Sequence, residues 1–413
     1  MRIKGSLTKG LLVALTLTLI PITAFSAQKI TPGSTCKVYK QKVTNQNKVF
    51  TCIKSGKKLV WNKGVAIAKP VPTQTPTPTP TPTPTQVVIE VPTSFNDLYE
   101  KRSGIAYSIW SKAKVKMLGS TKELPPIEIY RGPNTPTYVK DPNSYFKQVV
   151  QLFPGVTLPK KFVVFYWNQK DLEEVTKIAL SIMGAENIKK NLDETSGPFV
   201  RCNNPTNCDV GGALIGFDGT AYIGIGLADT QAEAERSGGG NGGVEKVEFY
   251  HALQLFNYHT NSLVLKGSGQ NIQSPFFPPI WLNYGGENLT SEILKYYDSY
   301  INFKSTRGLK GWTNQAIPNF SVEWLNTYLD TKNLGKDWND SSYSKSQPNA
   351  VMGAYLTEIF VSIIGPSVML DIHEQMSKKL SFSDTFQNIF GVSWQSAQPE
   401  LVKVIYDRYL YDY

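Results

Sequence analysis

Histidine is scarce in this chain, with three in 413 residues. Any Ser-His-Asp triad or histidine-based metal centre has to draw on His251, His259 or His373. No Gly-x-Ser-x-Gly elbow supports a hydrolase triad. Cysteine is almost as sparse. The four cysteines never fall at Cys-x-x-Cys spacing, which argues against a zinc ribbon or a dithiol redox site. Acidic residues and arginine are both missing from residues 27–69, which carry ten lysines. The rest of the mature sequence is close to neutral, so the net charge of +10 is concentrated at the N-terminal end. After residue 26, no apolar run approaches the ~20 residues of a spanning helix. No internal repeat of solenoid length is present.

The N-terminus reads as a secretory signal over residues 1–26. Arg2, Lys4 and Lys9 form a charged region, Leu11 to Ile20 an apolar one, and Ala24, Ser26 and Ala27 offer small residues for cleavage. The alternative is an uncleaved anchor, for which the apolar run is too short. The expected location is secreted, extracellular or associated with the cell wall. Four cysteines suit such an oxidising compartment. They form two local groups, Cys36 with Cys52 and Cys202 with Cys208. Sequence leaves their connectivity open, but the linker between the groups favours local pairing. A Cys36–Cys52 bridge would stabilise its module by about 3 kcal/mol in the chain-entropy picture.

Residues 27–66 predict a small basic β module. Lys40 to Thr44, Lys48 to Lys54 and Lys58 to Trp61 read as strands, with turns at Asn45-Gln46-Asn47 and Ser55-Gly56. A module this small needs its disulfide. The pattern Gly-x-x-Cys, Tyr/Phe-x-Cys, Gly-Lys-Lys-Leu-Val-Trp resembles small lysine-rich modules of exported actinobacterial proteins. The charge of residues 27–69 predicts attraction to an anionic cell-wall polymer. Export and the lack of arginine argue against nucleic acid. Residues 67–93 form a Thr/Pro-rich linker. Its Thr-Pro repeat favours polyproline II, and Pro76 to Thr85 would span roughly 30 Å. It is a candidate for O-glycosylation or a bare tether.

Residues 94–413 predict an α+β domain, with a mixed α/β N-terminal half and a helical C-terminal half. Helices are expected at Phe95 to Lys114, Ser144 to Phe153 and Asp171 to Met183. Strands are expected at Pro126 to Tyr130, Lys161 to Trp167, Ala213 to Phe217 and Thr220 to Leu227. Helices then follow at Val244 to His259, Ile280 to Phe303, Val322 to Thr331, Ala350 to Ile364 and Ser367 to Lys379, with short ones from Ser383 onward. Val244, Val247, His251, Leu255 and Tyr258 recur at helical spacing and predict an interior-facing stripe. Glu248 and His251 are neighbours three apart on that helix. The glycine-rich run Ser237 to Gly243 lacks the Lys-Ser/Thr of a phosphate cradle and reads as a flexible loop.

Two segments carry the chemistry: Val247-Glu248-Phe249-Tyr250-His251 and Trp281-Leu282-Asn283-Tyr284-Gly285. Together they resemble the gluzincin class of zinc peptidases. In that class a His-Glu-x-x-His helix supplies two ligands and a general base, and a Trp-Leu-x-Glu-Gly segment supplies the third ligand. The resemblance implies a zincin-like fold in which Glu248 is a vestigial general base and His251 a vestigial ligand. Val247 and Tyr284 stand where the other two ligands would be, and neither a hydrocarbon nor a phenol replaces them. The resemblance therefore implies an inactive domain with a binding or scaffolding role and no cofactor. In the enzyme alternative, Glu248, His251 and Glu287 would be a rearranged, carboxylate-rich zinc site. A third alternative is a purely structural envelope protein. Tyr250, Trp281 and Glu287 are candidates for a cleft that takes a peptide or glycan, although aromatic core filling is the favoured account of the rings. His259 and His373 are expected to be surface or capping residues. Cys202–Cys208 is expected to pin a surface loop.

Overall fold

In a computed structural model the chain divides into two compact units, Met1–Gln86 and Val87–Tyr413. The described residues are 30–67, 89–191, 208, 210–237, 242–259, 278–334 and 348–411. The signal and most of the linker lie outside them.

In the first unit β2 (Lys48–Ser55) is the spine. It pairs antiparallel with β1 (Lys42–Asn45) and with β3 (Lys58–Trp61). The expected three-strand meander gains a two-residue strand, β4 (Val65–Ala66), which pairs with the start of β2. The β1–β2 turn requires left-handed backbone at Gln46 and Asn47, with φ 50° and 56°. Two such residues make a turn whose twist matches the hairpin. Alternation along β2 sends Phe50 and Cys52 to one face, where they pack with Trp61. Cys36 and Cys52 form a disulfide with Cα atoms 5.9 Å apart, which staples the segment before β1 onto that face.

The second unit is mixed α/β. Its four-stranded sheet runs in the order β5 (Ile127–Arg131), β6 (Lys161–Trp167), β8 (Thr220–Gly226), β7 (Val210–Ile215). The first three strands are parallel, and β7 is an antiparallel edge. β6 reads Lys-Phe-Val-Val-Phe-Tyr-Trp, a continuous apolar run buried on both faces. Phe162, Val164 and Tyr166 enter the main core, while Val163, Phe165 and Trp167 pack in a second cluster.

The helices are α1 (Ile105–Gly119), α2 (Pro142–Leu152), α3 (Leu172–Asn191), α4 (Gln231–Ser237), α5 (Gly243–His259) and α6 (Ile280–Tyr296). α7 (Tyr300–Ser305), α8 (Lys310–Ala316), α9 (Val322–Leu329) and α10 (Pro348–Ile363) follow. The chain ends in α11 (Val368–Ser377), α12 (Phe382–Phe390) and α13 (Trp394–Tyr411). Valine and alanine of α3 (Val175, Ala179) belong to the cluster on one side of the sheet. On the other side, Phe249 of α5 stacks on Phe162 of β6 with ring centroids 4.3 Å apart. Every residue of α10 is buried, so this helix is the axis of the helical half. It packs on α6 backbone to backbone: a Cβ at Gly285 would fall 2.2 Å from the Gly353 carbonyl oxygen. Among the described residues no single helix is long and apolar enough to cross a membrane.

Two predicted helices differ. The helix expected from Phe95 starts at Ile105. The Asp97 carboxylate accepts the N–H groups of Thr93 and Ser94, which folds the chain into turns there. Gly104 then crosses Glu90 so closely that a Cβ would meet its carbonyl oxygen. The single helix expected from Ile280 to Phe303 breaks in two, because the Ser299 side chain accepts from the Asn302 N–H and caps a new helix.

Candidate functional site

α6 begins after Pro278-Pro279, whose missing N–H groups and restricted φ suit a helix entrance. It runs beside α5, which lies under the β7 edge of the sheet. β7 crosses directly over Glu248: a Cβ at Gly211 would sit 2.4 Å from Glu248 Cγ. Glycine at this position is what lets the strand pass.

On this floor three titratable side chains meet. His251 Nδ1 lies 3.6 Å from Glu248 Oε2 and 4.0 Å from Glu287 Oε1. The Glu248 and Glu287 side chains are 11% and 18% exposed, and that of His251 33%, so the cluster opens to solvent on the imidazole side. Burial opposes charging His251, but the adjacent Glu248 and Glu287 carboxylates outweigh it and raise its pKa to about 9. Burial raises Glu287 to about 7, against the pull of His251. The two groups titrate as a pair.

Val247 on α5 and Tyr284 on α6 are half-buried. The stripe Val244, Val247, His251 and Leu255, expected to face the interior, is instead half-buried, and only Tyr258 is buried. The fully covered face of α5 holds Phe249, Tyr250, Ala252 and Leu253. α5 is apolar on most of its circumference, so spacing alone misjudged which face meets the core. Tyr250 and Trp281, candidates for a cleft, are core residues with 0% and 1% exposure, in keeping with the favoured account of core filling. Trp281 packs edge-on to Phe382 and stacks on Trp394. The Tyr250 hydroxyl accepts from Gln254 and lies against Gly286, where a Cβ would meet it at 2.2 Å.

His373, expected at the surface, is buried on α11. Its Nδ1 lies 2.8 Å from the Met369 carbonyl, and the Asn283 side-chain amide lies 2.9 Å from Nε2. Burial lowers its pKa to about 4. His373, Asn283 and His251 line one small cavity of about 20 Å³ with Gln254, Leu255, Tyr258 and Pro278. That is room for a water molecule. No local pattern signals this contact, because Asn283 and His373 are far apart along the chain. The side chain of His259 lies outside the described residues. Cys208 is buried and disulfide-bonded. Cys202, its expected partner, also lies outside them.

A second polar cluster sits at the carboxyl ends of β5 and β6. Asp171 accepts from Asn134 N at 2.8 Å and from Thr135 Oγ1 at 2.7 Å. Its carboxylate is fully used in holding these strand ends together.

The donor set does not fit the zinc of the peptidase class. Val247 has no lone pair, Tyr284 is a phenol, and the His251 imidazole faces two carboxylates. Among the described residues no three His, Cys, Asp or Glu side chains are grouped so as to hold a metal. No protein-family model, curated protein or solved structure matches the chain.

Proposed function

We propose that this chain is an exported cell-envelope protein whose large domain is a gluzincin-like fold that has lost catalysis and binds a peptide segment. The observation that carries the reading is His251 held between Glu248 and Glu287, with Val247 and Tyr284 at the two other ligand positions. Support for the fold comes from α5 lying against α6 under an antiparallel edge strand. Support for export is the N-terminal signal. A peptide is favoured over a glycan for two reasons. The rings that would stack on a sugar, Tyr250 and Trp281, are buried. Among the described residues β7 is the edge of its sheet, and it crosses above Glu248, so it offers backbone donors and acceptors to an extended chain.

The general base of a zinc peptidase acts on a metal-polarised water. Glu248 instead faces an imidazole, and its role becomes holding that ring. The test is metal analysis of the purified protein after exposure to zinc, with a peptide-library binding assay in parallel. The expected result is far less than one zinc per chain, no peptide cleavage, and retained peptides. Stoichiometric zinc that disappears in His251→Ala together with peptidase activity would establish the divergent enzyme instead. Absence of both zinc and retained peptide would favour the purely structural role.

A further inference from the structure

The first unit displays its lysines in an unusual way. Residues 30–67 hold eight lysines, every one exposed, and no acidic residue to pair with them. Strand register places them on all sides. Lys42 pairs with Thr51 and Lys58 with Ser55, on the sheet face opposite Phe50 and Cys52. Lys48 and Lys54 alternate onto the Phe50 face at the two ends of β2. Lys57 lies in the β2–β3 turn, Lys63 lies between β3 and β4, and Lys37 and Lys40 precede β1.

Lys48 and Lys54 are roughly 20 Å apart along their strand. That exceeds the Debye length of about 8 Å at physiological salt. Lys48 and Lys54 therefore act as separate charges, and lysines spread over both sheet faces and the turns do not converge on one pocket for a small anion. Lysine also lacks the planar fork with which arginine reads phosphate or carboxylate geometry. Such a display suits a ligand that is itself long, charged and able to bend around the module.

We propose that residues 30–67 form an all-round polycation that holds the chain to a flexible anionic polymer of the cell envelope by wrapping, with no single docking face. That the polymer belongs to the envelope rests on the export reading. The wrapping does not, and the peptide-binding reading of the large domain stands or falls separately.

The experiment measures binding of the full-length chain to long-chain polyphosphate and to poly-glutamate over a salt series. A wrapped strand that engages all eight lysines gives a slope of log affinity against log salt of about −6, at about −0.7 per charge. Three double variants are compared: Lys42→Gln with Lys58→Gln, Lys48→Gln with Lys54→Gln, and Lys57→Gln with Lys63→Gln. All six side chains are exposed, so folding is unaffected. Each pair is expected to reduce the slope by a similar amount, about 1.4. The polymer bound more tightly assigns phosphate or carboxylate as the charge recognised. Loss of binding in one pair with no change in the others would overturn wrapping in favour of a face. A salt-independent affinity would overturn the electrostatic basis. Tighter binding to stiff duplex DNA than to either flexible polymer would replace the envelope partner with nucleic acid.

Discussion

Replacing Glu287 with glutamine tests the electrostatics of the cluster directly. The substitution keeps shape and removes one carboxylate 4.0 Å from His251 Nδ1. At that separation the attraction is about 4 kcal/mol with an effective dielectric of 20 and about 1 kcal/mol in bulk water. The His251 side chain is a third exposed, so a value near the lower figure applies. About 1.4 kcal/mol corresponds to one pKa unit. The pKa of His251, raised to about 9 in the native protein, should therefore fall by about one unit in Glu287→Gln. Glu248→Gln should lower it further, because the Glu248 carboxylate lies closer, 3.6 Å from Nδ1. With three histidines in the chain, imidazole titration by NMR resolves the shift. Stability carries the same information. The His251 pKa is raised from 6.5 to about 9, so its contribution is complete below pH 6.5 and is lost as pH rises through 9. The Glu287 pKa is raised from 4.5 to about 7, so its carboxylate destabilises progressively as pH rises from 4.5 through 7. Both limbs fall with rising pH, by about 2 kcal/mol together after allowance for solvent screening. Denaturant melts of Glu287→Gln should lack the lower limb. A native His251 that titrates near 6.5, or one unmoved by Glu287→Gln, would refute the reasoning.

Glu358 is fully buried and accepts from Arg307 Nη1 at 2.9 Å and Arg408 Nη2 at 2.6 Å. Glu358→Ala removes the carboxylate shared by two buried guanidinium groups, of which Arg307 keeps Glu292 at 3.2 Å, and should cost about 3 kcal/mol in chemical denaturation; a loss under about 1 kcal/mol would mean that water reaches the pair. Gly285→Ala forces a Cβ to within 2.2 Å of the Gly353 carbonyl and pushes α6 off α10, so a loss of about 1–3 kcal/mol is expected. Gly311→Ala, whose Cβ meets open space on α8, should gain about 0.5 kcal/mol.

Three strands of the sheet were readable because they obey simple patterns, whereas β7 runs from Val210 to Ile215 instead of Ala213 to Phe217, since Gly216 to Gly219 form the turn into β8. β6 is a seven-residue apolar run, and β5 and β8 are β-branched and aromatic segments bounded by turn residues. The helical half was readable in outline because its helices are long and apolar. Boundaries failed where tertiary contact decides them. Gly104 fits against Glu90, and the turn at Asp97 replaces the first turns of a helix whose apolar spacing looked sound. The short helices α4 and α8 were missed because seven residues hold too little periodicity. At the site, the helical spacing of Glu248 and His251 was visible in the sequence. The position of Glu287 could be named only through its offset from Tyr284. The pairing of His373 with Asn283 depends on how α11 packs on α6, and no local pattern encodes that.

The cluster also bears on why a domain of this kind would keep Glu248 and His251 under the proposed loss of metal. Two largely covered carboxylates near each other repel and lose hydration, so they need a positive partner. In a zinc peptidase the metal supplies it. Here the imidazolium supplies one positive charge, and burial raises the Glu287 pKa so that it holds a proton more readily. Removing His251 would leave Glu248 and Glu287 facing each other without compensation, so the three side chains stand or fall as a unit. Glycine at 211 follows from the same packing, since any side chain there would displace Glu248. A peptide beside β7 would then meet a neutral to negative floor. That floor accepts backbone N–H groups or a lysine more readily than it accepts a carboxylate terminus.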